Sequence, residues 1–271
     1  MLQFDSQPGN VKENIARSLM YMDKAAQQGA KLVVLPELCQ SGYDLTREMV
    51  NQVAETIDGE SVKQWINFAR SHNMYIVGGL CEQADGLIYN SAVLIGPEGH
   101  IGTYRKVHLF GNEKEIFAQG DKGVPVFDLG WVKLSMLICY DLRFPEAVRL
   151  AALKGADLIC VPTAWVTPVG KKWDERGFSM QAYCAMAHAS MNRIYIACAD
   201  ACGSFRNDQF LGGSLIASPS GWPVAGPASV DEPEFLIGDL DLSLARTKSH
   251  NPHNNLLADR RTDIYGEYSI S

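Results

Sequence analysis

One nine-residue pattern occurs twice in this chain and limits the folds that are open to it. Residues 29–37 read GAKLVVLPE and residues 155–163 read GADLICVPT, each after an alanine-rich segment. An alanine-rich segment, a glycine and then a run of apolar residues predict a helix with a glycine cap that leads into a buried strand. The chain is therefore expected to contain two copies of one helix-to-strand unit.

Two further similarities follow in the same order. Residues 73–77 (NMYIV) resemble residues 192–196 (NRIYI), and residues 94–99 (LIGPEG) resemble residues 215–221 (LIASPSG). Similar segments in one common order indicate two related halves. Each half is expected to run strand, helix, strand, helix, strand, a hairpin-like turn at Pro-x-Gly, and a final strand.

The halves are not separated by a linker rich in proline, glycine or serine, so we predict a single domain over residues 1–271. The simplest arrangement of two such halves is two sheets packed face to face with helices on both outer faces, a four-layer α/β sandwich. A chain of 271 residues with 46% apolar content can form a core of that size.

Charge and cysteine content exclude several classes of protein. A formal net charge of -7 without a lysine-rich run argues against binding to nucleic acid or to an anionic membrane surface. The chain has no apolar run of the roughly 18 residues that a membrane span needs, and its N-terminus lacks the pattern of a signal peptide. Seven scattered cysteines without a CxxC pair suggest reduced thiols. We expect a soluble, cytoplasmic protein.

A thiol lies where a strand is predicted to end and a helix to begin. Residues 132–138 are apolar enough for a buried strand, and Pro145 is placed for the first turn of the next helix. Such a turn exposes a side chain at the carboxyl edge of a sheet and directs backbone N–H groups at it. Cys139 is therefore a candidate nucleophile, although a free cysteine at such a position can also be a buried packing residue.

Two charged residues of the first half are further candidates. Glu37 follows an apolar strand of the first half, at the edge where ligands bind in parallel sheets. It is either a charge at the start of a helix or a partly desolvated general base with a raised pKa. Lys106 lies in residues 104–110 (YRKVHLF), where a basic pair would ordinarily be a solvated strand edge.

Taken together, these segments resemble the nitrilase superfamily of carbon-nitrogen hydrolases. The family is marked by a Glu after Leu-Pro, a Lys in Tyr-Arg-Lys-x-His-Leu and a Cys in Cys-x-Asp-x-x-x-Pro-Glu. All three motifs occur here in the family's order, at residues 35–37, 104–109 and 139–146. The resemblance implies a four-layer α-β-β-α sandwich, in agreement with the doubled pattern.

The resemblance also implies a catalytic triad of Glu37, Lys106 and Cys139. A second acid shortly after the lysine is best matched by Glu113, with Glu115 close by as the alternative. In the implied reaction Glu37 takes the proton of Cys139, and the thiolate attacks an amide carbonyl to form a thioester. The oxyanion would lie between Lys106 and the backbone N–H of Tyr140. This chemistry requires neither a metal nor an organic cofactor.

Further residues are candidates for substrate binding. Arg143 could hold a substrate carboxylate, as basic residues after the nucleophile do in relatives that remove an N-carbamoyl group. Alternatively, Asp141, Arg143 and Glu146 hold the turn together through charge pairs. Tyr43, Trp165 and Phe110 are candidates for pocket walls or for core positions.

The implied substrate is a small-molecule amide, and the favoured activity is conversion of a small aliphatic or ω-amide to a carboxylate and ammonia. The alternatives are an N-carbamoyl-amine or N-carbamoyl-amino-acid amidohydrolase, a nitrilase, a cysteine acyltransferase and a noncatalytic scaffold. Residues 178–191 predict an apolar helix that is buried in the fold or packs across a homodimer or higher homo-oligomer, which the resemblance favours. His250 and His253 have ligand-like spacing without a third ligand, so we expect no metal there.

Overall fold

The computed structural model describes residues 1–166, 172–205 and 208–265. Its strands are β1 Leu2–Gln3, β2 Leu32–Val34, β3 Tyr75–Ala84, β4 Leu87–Gly96, β5 Gly99–Arg105, β6 Val126–Asp128, β7 Lys133–Met136, β8 Leu158–Pro162, β9 Tyr195–Ala199, β10 Ser204–Phe205, β11 Asp208–Gln209, β12 Leu215–Ala217, β13 Pro223–Ala225, β14 Glu234–Phe235, β15 Ser249–Asn251 and β16 Asn254–Asn255. Its helices are α1 Val11–Gln27, α2 Arg47–Val53, α3 Glu60–His72, α4 Glu113–Ile116, α5 Pro145–Leu153, α6 Met180–Asn192, α7 Leu242–Arg246 and α8 Thr262–Tyr265. A 3₁₀ turn spans Cys139–Arg143.

Two larger sheets form the centre of the structure. The first has the strand order β2-β3-β4-β5, in which β2 and β3 are parallel and the other pairs are antiparallel. The second has the order β13-β12-β9-β8-β7-β6, with β7, β8 and β9 parallel to one another. Among the parallel strands, β2 and β8 are those that the repeated helix-to-strand units predict, and β7 lies within the apolar run of residues 132–138.

The two sheets pack against each other and carry helices on their outer faces. β8 lies against β2 and β3, while α3 covers the first sheet together with α1. On the other side, α5 and α6 pack side by side, and α6 lies on β9 and β12. The predicted four-layer α-β-β-α sandwich is therefore confirmed.

The inner layer of the sandwich is apolar on both facing surfaces. Val34, Val77 and Leu94 of the first sheet are buried in one cluster with Leu134 and Leu158 of the second sheet. Complete burial of a side chain of this size stabilises the fold by roughly 1.5–3 kcal/mol. The outer face of the first sheet buries a separate cluster under α1 and α3, which contribute Ile15 and Trp65.

The halves are related but not identical. The predicted Pro-x-Gly turns join β4 to β5 and β12 to β13. The first strands differ, because β7 pairs in parallel with β8 whereas β1 pairs with β14. The Gln3 side chain holds β1 in that place by donating to the carbonyl oxygens of Ser229, at 2.7 Å, and Glu232, at 3.0 Å.

No helix in the described ranges is long and apolar enough to cross a membrane. Residues 167–171, 206–207 and 266–271 lie outside those ranges. The single-domain boundaries 1–271 stay a prediction.

Candidate active site

Three loops that leave the two sheets bring the predicted triad together. Glu37 follows β2 after Leu35 and Pro36, Lys106 directly follows β5, and Cys139 opens the 3₁₀ turn after β7. Glu37 and Lys106 are completely buried through their side chains, and Cys139 is 8% exposed. The face-to-face packing of the sheets thus places residues from both halves at one site.

Lys106 is the cation at the centre of this site. Its Nζ donates to Glu37 Oε1 at 2.6 Å and to Glu113 Oε1 at 2.8 Å. Burial by itself would lower the pKa of Lys106, but the charges of Glu37, Glu113 and Cys139 together raise it well above its ordinary value. Lys106 therefore carries its positive charge at any physiological pH.

Glu37 has one oxygen held by donors and one left open. Its Oε1 also accepts from Asn90 Nδ2 at 2.8 Å, whereas Oε2 is buried without a hydrogen-bond partner among the described residues. Burial raises the pKa of Glu37, and the charge of Glu113 adds to this while Lys106 opposes it. A carboxylate with a raised pKa and an open oxygen is suited to accept a proton.

Glu113, and not Glu115, is the second acid that lies in the site. It is 3% exposed at the start of α4, whereas Glu115 is exposed. Its Oε1 also accepts from the Tyr43 hydroxyl at 2.9 Å, and its Oε2 accepts from the Phe110 N–H at 3.0 Å. The structure thus distinguishes between the two acids that the sequence left open.

Cys139 adopts a backbone conformation that is unusual for a residue other than glycine. Its φ of 45° lies in the left-handed region, which costs a non-glycine residue about 1–3 kcal/mol. Burial raises the pKa of the Cys139 thiol well above its ordinary value, and the charge of Glu37 adds to this, while Lys106 and a hydrogen bond from the Ala164 backbone oppose it. The thiol is therefore protonated at neutral pH and requires a base before it can attack.

A single buried carboxylate holds the turn that carries Cys139. Asp141 Oδ1 accepts from the backbone N–H of His108 at 3.0 Å and is 2.7 Å from the His108 Nδ1. Asp141 Oδ2 accepts from the Tyr104 hydroxyl at 2.7 Å and from the Ile138 N–H at 2.9 Å. Asp141 thereby ties the segment of Lys106 to the segment of Cys139.

The other two charged residues of the motif do not form the charge pairs expected of them. Arg143 is exposed, with its Nη1 3.9 Å from the Sγ of Cys184, and Glu146 is exposed in the first turn of α5. Among the described residues, neither forms an ion pair with the turn. The physical reason is that buried Asp141 is already saturated by Tyr104, His108 and the backbone.

A cavity of about 330 Å³ opens above the thiol. Cys139 lines it together with four residues predicted for substrate binding, Phe110, Tyr140, Arg143 and Trp165, and with five further residues, Leu142, Ala164, Val166, Gln181 and Cys184. Tyr43, the remaining predicted wall residue, instead contacts Glu113 and packs edge-on against Phe210, with ring centroids 6.1 Å apart. The cavity walls are mostly apolar, with a guanidinium and an amide as polar groups.

Some residues of the site have roles that sequence reasoning missed. Asn90, which holds Glu37, lies in the middle of β4 and is completely buried. A polar pair, Asn90 and Ser91, within an otherwise apolar strand was the available signal, because buried polar groups need partners. Gln181 and Cys184 on α6 carried no signal, since the cavity they line forms only in the folded chain.

Comparison with known proteins shows the family. A family model described as carbon-nitrogen hydrolase matches residues 1–248. The chain is 42% identical over 255 residues to a protein from Pyrococcus abyssi named nitrilase, with 93% of each chain covered. It is 33% identical over 269 residues to the 2-oxoglutaramate amidase of Bacillus subtilis, with 97% of each chain covered.

Solved structures of an amidase from Nesterenkonia sp. share the fold. One of them has a TM-score of 0.82 at 30% identity and covers 99% of this chain and 94% of its own. A glutamate-to-glutamine variant of that amidase, with a TM-score of 0.79 at 28% identity over 99% and 95% of the two chains, carries the acetamide moiety of fluoroacetamide covalently added at its active-site cysteine. From its fold, its motifs and these matches, the chain belongs to the carbon-nitrogen hydrolase family.

Proposed function

We propose that this protein is an amidase that hydrolyses a small linear amide to a carboxylate and ammonia through a thioester on Cys139. The observation that carries the proposal is the buried Lys106, which is held between Glu37 and Glu113 beside a thiol that opens into a cavity. The names of the Bacillus and Nesterenkonia relatives, both amidases, support the reaction class.

Acylation begins with the thiol proton. Glu37 accepts it, for which Oε2 is the open oxygen, and the sulfur attacks the carbonyl carbon of the amide. An ammonium group has three donors, and Lys106 uses one for Glu37 and one for Glu113. The third Lys106 donor is available for the developing oxyanion, which also accepts from the Tyr140 N–H. Each donor in such a site contributes about 2.7–4 kcal/mol.

The tetrahedral intermediate then breaks its carbon-nitrogen bond. Glu37 returns the thiol proton to nitrogen, directly or by way of Glu113, and ammonia leaves while the carbon-sulfur bond remains as a thioester. Water, activated by the same carboxylate, attacks the thioester carbon. The carbon-sulfur bond breaks, the acid product leaves, and the proton returns to the thiol.

The cavity favours a substrate with a short aliphatic chain. Phe110, Leu142 and Trp165 offer apolar walls, and Arg143 places a guanidinium on the lining. A carboxylate at the far end of the substrate would pair with this group, which favours an ω-amide over a purely aliphatic amide. The same arginine keeps an N-carbamoyl acid as the second candidate substrate.

The test is turnover on a panel of aliphatic amides, ω-amides, N-carbamoyl acids and nitriles, with ammonia and carbon dioxide measured. We expect ammonia without carbon dioxide from ω-amides, and no turnover by Cys139→Ala. Cys184→Ala is the matched control, because it removes the other thiol of the same cavity. Turnover of nitriles alone would contradict the proposal, and an inactive wild type without enhanced Cys139 reactivity would favour a scaffold.

A further inference from the structure

A buried acid that the proposed chemistry does not use lies next to the site. Asp200 directly follows β9 and is completely buried. β8 and β9 are parallel neighbours, with Pro162 opposite Ala199, so Asp200 lies beside the residues that follow β8. Those residues, Thr163 to Trp165, lead into the cavity.

One oxygen of Asp200 accepts the hydrogen bonds that hold residues 163–165. Asp200 Oδ1 accepts from the Thr163 hydroxyl at 2.7 Å and from the Trp165 N–H at 2.8 Å. Asp200 is itself fixed, because its N–H donates to Ser214 Oγ at 2.8 Å. The carboxyl therefore sets the path of the chain across residues 163–165.

The same connection touches two parts of the proposed machinery. The Thr163 carbonyl accepts from the Glu37 N–H at 3.2 Å. Ala164 hydrogen-bonds to Cys139 through its backbone, and Ala164 and Trp165 line the cavity. A displacement of residues 163–165 would move the base, the thiol contact and the cavity wall together.

We propose that Asp200 is a positioning residue for the reaction, which acts as an uncharged hydrogen-bond acceptor that holds residues 163–165 against Glu37 and Cys139. This inference rests on the proposed function. Both donors reach Oδ1, so the second oxygen is not needed as an anion, and Asp200 Oδ2 is buried without a hydrogen-bond partner among the described residues. An ionised carboxylate with a bare buried oxygen would be costly.

The electrostatic surroundings agree with a neutral acid. Burial raises the pKa of Asp200 well above its ordinary value, and the charge of Glu37 adds to this, whereas hydrogen bonds from Trp165, Thr163 and the Ala201 backbone oppose it. Asparagine has nearly the same shape and offers the same accepting oxygen without a charge. Asparagine at position 200 should therefore preserve the activity, whereas alanine should not.

The experiment compares Asp200→Asn and Asp200→Ala with wild type and with Asp157→Ala. Asp157 is the matched control, because it is also buried and precedes the other end of β8, where it accepts from the Lys133 N–H at 3.0 Å. Two quantities are measured: kcat and KM on an amide that the wild type hydrolyses, and the pH dependence of Cys139 alkylation by iodoacetamide, read by mass spectrometry of the Cys139 peptide. The groups that act on this thiol are Glu37, Lys106 and Glu113.

We expect Asp200→Ala to lower kcat at least ten-fold and to shift Cys139 alkylation to higher pH, because the Ala164 contact that favours the thiolate is loosened. Asp200→Asn should retain kcat within about three-fold and leave the alkylation profile in place, and Asp157→Ala should do the same even if it lowers the unfolding temperature. The proposal is overturned if Asp200→Asn falls as far as Asp200→Ala, if Asp200→Ala is unchanged, or if Asp157→Ala shows the same shift.

Alkylation does not depend on turnover, so the two proposals can fail separately. If the wild type hydrolyses no amide but Asp200→Ala still shifts the Cys139 profile, the amidase proposal fails and the positioning role stands. If amides are hydrolysed and the profile does not move, the positioning role fails alone.

Discussion

At the level of single residues, the site sets one buried cation between two buried acids. Lys106 is the ammonium shared by Glu37 and Glu113, and all three side chains are at most 4% exposed. The sequence located Glu37, Lys106 and Cys139 through local motifs, because each follows a recognisable strand. It could not supply Asn90 or the choice between Glu113 and Glu115, since these depend on contacts between segments distant in the chain.

Removal of the ammonium should leave two buried carboxylates without a counter-charge. We predict that Lys106→Met lowers the free energy of unfolding by about 3–5 kcal/mol at pH 7. The loss should shrink as the pH falls, because the already raised pKa of Glu37 rises further without Lys106 and the acid becomes neutral. Urea unfolding at pH 7 and pH 5 measures both effects. A Lys106→Met, Glu37→Gln double variant as unstable as Lys106→Met would contradict this account.

The acid limb of the pH profile of activity should follow the ionisation of Glu37. Glu37 must be ionised to accept the thiol proton, and its raised pKa places the fall of kcat/KM above the ordinary glutamate pKa of about 4.3. Lys106 stays charged throughout, because its pKa is raised. Glu37→Gln should lower kcat/KM by about 10² to 10⁴-fold. Exposed Glu115→Gln is the control and should keep the wild-type profile; a profile that moves with Glu115 would refute the assignment.

At the scale of elements, the 3₁₀ turn Cys139–Arg143 joins β7 to α5 as the sequence predicted, and α5 begins at Pro145. Proline at the first helical position and an apolar run before the cysteine are local signals, so these boundaries could be predicted. The anchoring of the turn could not, because Asp141 takes its partners from Tyr104 and His108 on another segment. Charge pairs from Arg143 and Glu146 were the wrong expectation.

Asp141 should therefore be the most sensitive residue of the turn. We predict that Asp141→Ala lowers the free energy of unfolding by about 3 kcal/mol, because buried donors lose an acceptor, and that it reduces kcat through displacement of Cys139. Glu146→Gln, at an exposed position of the same motif, should change stability by less than about 0.5 kcal/mol. Urea unfolding of both variants is the measurement, and equal losses would contradict the anchoring role of Asp141.

At the scale of the whole molecule, the doubled sequence predicted the sandwich because each repeated unit encodes one helix and one buried strand. It did not predict which side chains of α6 are buried and which are exposed. Ala182, Ala185 and Ala189 are buried against the sheet, whereas Met180 and Met191 are exposed. Leu150 and Leu153 of neighbouring α5 are exposed as well. An outer layer with this many exposed apolar side chains favours the homodimer or higher homo-oligomer that we expect from the sequence.

We predict that light scattering after size-exclusion chromatography finds a dimer or a larger oligomer. Met191→Glu combined with Leu150→Glu should shift it to a monomer, because charges would be buried at the interface. Leu87→Glu is the control, as an equally exposed apolar residue at the start of β4 in the other half. A monomeric wild type, or a dimer that is insensitive to the double variant, would argue against this interface.

The central claim is that Cys139 carries the acyl group during turnover. The most direct test is mass spectrometry of the wild type after rapid mixing with an ω-amide that is turned over. We predict a mass increase on the Cys139 peptide equal to the acyl group of the substrate minus one hydrogen. The increase should be absent in Cys139→Ala and in Glu37→Gln, which lacks the base for acylation. Turnover without any adduct on Cys139 in the wild type, or an adduct on Cys184 in its place, would contradict this claim.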